Sequence, residues 1–195
     1  HHVTVIADEI HQDVVYSGHK HIPFASICPE FAEITVSFMN PSKTFNVPGF
    51  RTAAFIASNP VLKSAVHEML VNNKAIGENI CGTIAFYTAY EQCDYYADQL
   101  VAYLEKNRDL VVQTLKDVPG IEVTHAEGTY LLWLDCRGLG FESQKALDKW
   151  LVEIAKLGFN SGMSFGPEGE GYARMNIAAP RSTVEEALHR LTNAV

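Results

Sequence analysis

Two short apolar runs constrain this chain more than any other feature. Val3-Thr4-Val5-Ile6-Ala7 leads straight into Asp8, and Ile34-Thr35-Val36-Ser37-Phe38-Met39 leads into a polar turn that carries Lys43. The first run lacks polar alternation, the pattern of a parallel strand buried on both faces. The second also reads as a buried strand. Open α/β sheets bind ligands outside the carboxyl ends of their strands, so Asp8 and Lys43 are expected at one rim. A carboxylate and an amine brought together there suit a charged heterocycle. Hydroxyl groups beside Lys43 and a guanidinium at Arg51 suit an aldehyde cofactor with a phosphate to anchor.

The rest of the chain divides by its breakers and its periodicity. Asn59-Pro60 opens a helix, with proline at a tolerated first-turn position. A long helical pattern follows from about Asn79 to Lys116, with Leu100, Leu104, Val111 and Leu115 on one face, and Pro119-Gly120 stops it. Beyond it, strands are expected over Tyr130–Asp135 and Ala173–Ile177, with helices near Ser143–Leu157 and from Ser182. Ser182-Thr183-Val184-Glu185 has the form of a capping box. Residues 1–75 thus read as the end of a large α/β domain, 76–120 as a connecting helical region and 121–195 as a smaller α/β domain.

Composition sets the outer bounds. The chain has 195 residues, enough for about one domain to one and a half. With 47% hydrophobic residues it can bury a core. A net charge of −8 argues against a nucleic-acid surface or a polybasic membrane surface. Cys28, Cys81, Cys93 and Cys136 form no C-x-x-C pair, which fits reduced thiols and a cytoplasmic setting. No apolar run approaches the ~20 residues of a spanning helix. The chain begins with His1-His2 directly before a strand and without Met, so a truncated chain is expected.

Four segments together carry a family resemblance. They are Asp8-Glu9-Ile10-His11-Gln12-Asp13, His21-Ile22-Pro23-Phe24, Pro41-Ser42-Lys43-Thr44-Phe45-Asn46, and the stretch from Gly169 through Arg174 to Ser182. In these the chain resembles the class I/II aminotransferase superfamily of fold type I pyridoxal phosphate (PLP) enzymes. Within it the likeness is greatest to the cystathionine β-lyase, or C–S lyase, branch. The resemblance runs through essentially the whole chain and corresponds to the C-terminal half of such an enzyme. It implies the end of a PLP-binding large domain, a mostly parallel sheet with helices, followed by a smaller α/β domain. It also implies a homodimer acting on a small amino acid.

The same resemblance implies roles. Lys43 would hold the cofactor aldehyde covalently and then act as general base at the substrate Cα. Asp8 would face the pyridine nitrogen. His11, where many aminotransferases carry tyrosine, would lie near the cofactor ring or its phenolate oxygen. Arg51 would bind the phosphate, a basic position that the C–S lyase branch often lacks, so it leans toward an aminotransferase. Ser42 and Asn40 would add hydrogen bonds. Arg174 would clamp the substrate α-carboxylate, and Tyr130 either lines the cleft or belongs to the core. Arg181 is expected to be solvated near the last helix.

Two other motif readings fail. Gly166–Gly171 is glycine-rich but acidic and wrongly spaced for a phosphate loop, so a flexible loop ahead of Arg174 is expected. Asp8, His11, Asp13, His19 and His21 match no metal-ligand spacing. The expected activity is α,β-elimination on a sulfur amino acid, releasing thiol, pyruvate and ammonia. Transamination with a 2-oxo acid is the alternative on the same residues. A reading of another class also stays open: a silent fragment acting only in dimerisation or partner binding.

Overall fold

The computed structural model describes residues 3–77 and 79–195. His1, His2 and Glu78 lie outside the described residues. The chain divides into two compact units, His1–Leu100 and Val101–Val195.

The first unit holds a three-stranded sheet of order β1-β2-β3, built from β1 (Val5–Asp8), β2 (Thr35–Met39) and β3 (Ala54–Ile56). β1 and β2 are parallel, with Val5 opposite Thr35 and Asp8 opposite Phe38. β3 returns antiparallel, with Phe38 opposite Phe55. The strand expected over Val3–Ala7 is therefore shifted to Val5–Asp8. Among the described residues β1 pairs with β2 alone, and Ile6 on one of its faces is 74% exposed. Ile34, expected in the second strand, instead closes a short helix, α1 (Pro29–Ile34). The Thr35 hydroxyl donates to the Phe31 carbonyl at 2.6 Å where helix turns into strand.

α2 (Pro60–Asn72) starts where Asn59-Pro60 predicts. The Asn59 side chain accepts from the Val61 and Leu62 amides, satisfying donors that the first turn leaves open. The expected continuous helix over 79–116 is two helices, α3 (Ile80–Gln92) and α4 (Asp94–Leu115), broken at Cys93. Cys93 leaves the helical region, and its carbonyl accepts from Tyr96 as the second helix begins. Hydrophobic periodicity alone does not reveal this break, since apolar residues continue through it.

The second unit packs helices on a sheet of order β4-β5-β7-β6, antiparallel throughout. Its strands are β4 (Glu122–Val123), β5 (Leu131–Asp135), β6 (Asn160–Ser161) and β7 (Tyr172–Asn176), and its later helices are α5 (Gln144–Glu153) and α6 (Arg181–Ala194). The core face carries Leu132, Leu134, Ala173 and Met175, each at most 2% exposed. Leu104, Val111 and Leu115 from α4 and Val184, Leu188 and Leu191 from α6 join this core at helical spacing.

The start of α6 differs from its expected capping box. Pro180 is the N-cap and provides no side-chain cap, so Ser182 lies inside the helix. Glu185 pairs with Arg181 at 3.1 Å instead. Arg181 is likewise not a loose surface group, since its Nη1 also donates to the Lys106 carbonyl at 2.7 Å. No described helix is long and apolar enough to cross a membrane.

Candidate active site

In the first unit, parallel pairing decides where the polar groups emerge. Asp8 ends β1 opposite Phe38 of β2, and the Glu9 amide donates to the Phe38 carbonyl at 2.9 Å. β2 runs one residue further and delivers the turn Pro41–Thr44. Both strands thus send their carboxyl ends, and with them Asp8 and the Lys43 turn, to the same edge of the sheet. Asp8 is exposed there and Lys43 is half-buried.

The Lys43 turn is fastened on either side of the lysine. Asn40 Oδ1 accepts from the Ser42 amide at 3.0 Å and also from the Ser42 hydroxyl. This asparagine-led turn uses a side-chain oxygen where a backbone carbonyl would otherwise serve. The Ser42 hydroxyl proton is therefore directed at Asn40, leaving the oxygen's lone pairs and the Asn40 amide for other partners. The Phe45 amide donates to the Pro41 carbonyl at 2.9 Å, closing the turn beneath Lys43. Thr44 is wholly buried, and its hydroxyl donates to Asp13 Oδ2 at 2.8 Å. Among the described residues no hydrogen bond or ion pair involves the Lys43 side chain.

Downstream, Asn46 and Arg51 both adopt the left-handed conformation, with φ of 53° and 48°. Arg51 is exposed at the end of the 3-10 turn Pro48–Phe50. The Asn79 side chain anchors this turn, donating to the Phe50 carbonyl while accepting from the Gly82 amide of α3.

The segment after Asp8 contributes His11, half-buried within a turn held by Gln12 N–H to Glu9 O and Val14 N–H to His11 O. The Glu9 carboxylate accepts from the Phe24 amide at 2.8 Å and lies 3.8 Å from His21 Nε2, tying the His21–Phe24 segment to the residue after Asp8.

In the second unit Arg174 and Tyr130 are half-buried neighbours. Burial pushes the Tyr130 phenol above its usual range, and the nearby Arg174 charge partly opposes this. Arg174 lies on β7 between Trp133 of β5 and Asn160 of β6. Its guanidinium carbon lies 4.4 Å from the Phe165 ring centroid, and Nη2 donates to Asn160 Oδ1 at 3.2 Å. Its Nε is buried without a hydrogen-bond partner among the described residues. A buried, unmatched guanidinium N–H is costly, and a carboxylate is the natural bidentate acceptor for it.

The loop ahead of β7, expected to be flexible from its glycines, is built from two short turns. Gly162–Phe165 and Pro167–Gly169 are 3-10 turns, and the backbones of Gly162 and Gly169, both buried, touch. Sequence reasoning missed Asp13, Thr44, Tyr90, Asn160 and Phe165 as parts of these arrangements. Asp13 and Thr44 lie inside segments already singled out. Phe165 gives no sequence signal beyond an aromatic residue in a glycine-rich stretch.

The amine of Lys43 and the carboxylate of Asp8 stand at one end of the first unit's sheet, with the Ser42 hydroxyl in the same turn as the amine. The chain matches the family model described as aminotransferase class I and II over residues 1–191. It belongs to that family. It is 34% identical over 196 residues to the cystathionine β-lyase PatB of Bacillus subtilis, covering 100% of this chain and 50% of PatB. It is 29% identical over 195 residues to an aspartate aminotransferase of Pyrococcus horikoshii, covering 99% of this chain and 48% of that protein. Its fold matches cystalysin from Treponema denticola, whose structure contains pyridoxal 5'-phosphate, with a TM-score of 0.94 and 32% identity, covering 98% of this chain and 48% of cystalysin. The chain spans about half the length of the curated relatives it matches.

Proposed function

We propose that this chain is the C-terminal half of a PLP-dependent C–S β-lyase that cleaves a sulfur amino acid to a thiol, pyruvate and ammonia. The observation that carries the reading is the parallel register of β1 and β2, which sends Asp8 and the Lys43 turn to one sheet edge. In this reading residues 1–75 complete the cofactor-holding domain, 76–120 connect, and 121–195 form the small domain. The whole protein is a cytoplasmic homodimer.

When bound, PLP supplies the electron sink that makes the substrate Cα proton acidic. The chain's own residues do the rest. Lys43 would hold the cofactor aldehyde and, as a free amine, would serve as the base at the substrate Cα. Asp8 would pair with the ring nitrogen and favour its protonated form. Arg51, Ser42 and Asn40 would bind the phosphate, and His11 would donate to the phenolate oxygen or lie near the ring. Arg174 binds the substrate α-carboxylate through two parallel N–H bonds, and its buried Nε supports that role. Tyr130, kept neutral by burial, lines the same position.

Borohydride reduction of the PLP-loaded protein followed by peptide mapping tests the core of this reading. Label on Lys43 is the expected result, and label elsewhere overturns it. Pyruvate release from cystathionine or cysteine without an added 2-oxo acid identifies the lyase. Amino transfer that requires a 2-oxo acid would assign the chain to the aminotransferases, which Arg51 and the aspartate aminotransferase relative favour.

A further inference from the structure

Lysine is a flexible four-carbon stem, and a covalent attachment point must be held still by something other than its own side chain. In this chain the fastening on the C-terminal side of Lys43 is unusual. Thr44, the next residue, is 0% exposed. Its hydroxyl points at a carboxylate from a different segment, Asp13 Oδ2 at 2.8 Å. The same oxygen lies 3.4 Å from the Tyr90 hydroxyl of α3. Burial pushes the Tyr90 phenol well above its usual range, and the Asp13 charge adds to this, so Tyr90 keeps its proton and remains a donor.

Asp13 is itself firmly placed. It follows the turn through His11, and the next residues, Val14 and Tyr16, are 0% and 1% exposed core residues. The other side of the turn is closed by aromatic packing. Phe45 meets Tyr90 edge-on at 5.6 Å between ring centroids, and Phe86 lies 5.1 Å from Tyr90. The carboxylate therefore joins three pieces of chain: the segment leaving Asp8, the Lys43 turn, and α3. A threonine placed there only for packing would not need a charged acceptor, because its hydroxyl could return to a local carbonyl, as Thr35 does to Phe31.

We propose that Asp13 is a positioning residue for Lys43, acting through Thr44 and braced by Tyr90, so that one carboxylate sets the distance between the attachment lysine and the Asp8 segment. The inference rests on the reading of Lys43 as the attachment point. Among the three, Thr44 alone is a chain neighbour of Lys43, and the described hydrogen bonds of Asp13 and Tyr90 do not involve Lys43, so the effect passes through the backbone of the turn.

The test uses the PLP-loaded full-length protein with Thr44→Val, Thr44→Ser, Asp13→Asn and Tyr90→Phe. Its readouts are cofactor dissociation, the rate of borohydride fixation at Lys43, and melting temperature. Thr44→Val keeps shape and removes the donor. It should weaken cofactor retention and slow fixation by about tenfold, the scale of one hydrogen bond to a charged acceptor. Thr44→Ser should restore both to within about twofold, and the pair Thr44→Val with Asp13→Asn should be no worse than the poorer single variant. Tyr90→Phe should give a smaller loss in the same direction. Normal retention and fixation in Thr44→Val would overturn the inference. So would equal losses in Thr44→Val and Thr44→Ser that follow only the melting temperature. If wild-type protein is not labelled at Lys43, the functional reading and this inference fall together. If it is labelled and the variants behave as wild type, only this inference falls.

Discussion

The guanidinium of Arg174 lies over the ring of Phe165, its carbon 4.4 Å from the centroid, while Asn160 takes one of its N–H groups. A cation held over an aromatic ring is attracted by the ring's quadrupole, which restrains a long side chain on a strand. Phe165 in turn meets Trp133 edge-on at 5.5 Å, and Trp133 stacks on Tyr172 at 5.5 Å. Arg137 closes the row over Tyr172 at 4.8 Å. Removing Phe165 should therefore loosen Arg174 without unfolding the unit. Cation–π contacts are worth about 0.5–2 kcal/mol. Phe165→Leu should raise KM for the amino acid by about 2- to 30-fold with a smaller change in kcat. Phe165→Tyr should restore KM, and steady-state kinetics read the split. Unchanged KM in Phe165→Leu would show that Asn160 alone orients the guanidinium.

Of this row the sequence singles out Arg174 alone, while several strand and helix positions elsewhere are legible in it, and the reasons for the rest are physical. Asp8 and the Lys43 turn follow apolar runs that announce strand ends, whereas Arg174 stands out only through the family resemblance of its segment. The helix starts at Asn59-Pro60 and near Ser143 follow from capping chemistry that is local. Partners distant in sequence were invisible. Thr44 meets Asp13 across 31 residues and Asn107 meets Ile177 across 70, and no local pattern encodes such a meeting. The break at Cys93 was missed because hydrophobic periodicity does not stop there. The capping box at Ser182 was misplaced because Pro180 already begins the helix two residues earlier, and Arg181 draws Glu185 away.

The Gly162–Gly169 crossing makes a sharp prediction about the loop that carries Phe165. A Cβ on Gly162 would collide with the Gly169 carbonyl and would lie 2.7 Å from the Tyr172 carbonyl. Both are backbone atoms and cannot swing aside. Gly162→Ala should cost about 1–3 kcal/mol, as overpacking typically does. It should also raise KM, because Phe165 moves with the loop. Gly158→Ala is the control, since a Cβ there meets nothing within 4 Å. Urea unfolding of the two variants measures the difference.

Cys136 predicts an alkaline signature. It is 2% exposed, and burial, then the Asp135 charge, pushes its thiol up to about 12. The unfolded chain's thiol titrates near ~8.5. As pH rises the unfolded state loses its proton first, so the folded state's advantage is full below about pH 8.5 and falls as pH climbs toward the folded value. Cys136→Ala should flatten that alkaline decline in unfolding curves between about pH 8 and 10. Iodoacetamide at mildly alkaline pH should modify exposed Cys81 readily and reach Cys136 only on unfolding. Rapid modification of Cys136 in the native protein would contradict its burial.

Asn107 tests how β7 is held at its far end. It is 0% exposed in the middle of α4, where a polar side chain must be matched. Its Nδ2 donates to the Ile177 carbonyl at 3.0 Å and the Ala179 carbonyl at 3.2 Å, just beyond the strand that carries Arg174. Asn107→Leu preserves volume and strands the Ile177 carbonyl, at about 1–3 kcal/mol, while the Ala179 carbonyl keeps the Tyr103 hydroxyl at 3.4 Å. Asn107→Asp should be worse, since a buried carboxylate would face those two carbonyl oxygens with no proton to offer. Arg181→Ala should cost less than either, because the Arg181 side chain is 40% exposed and water can replace its bonds. The midpoint of urea unfolding at constant slope gives the order. An Asn107→Leu variant as stable as wild type would mean that water reaches these carbonyls, and that β7 is secured by its pairing with β5 and β6.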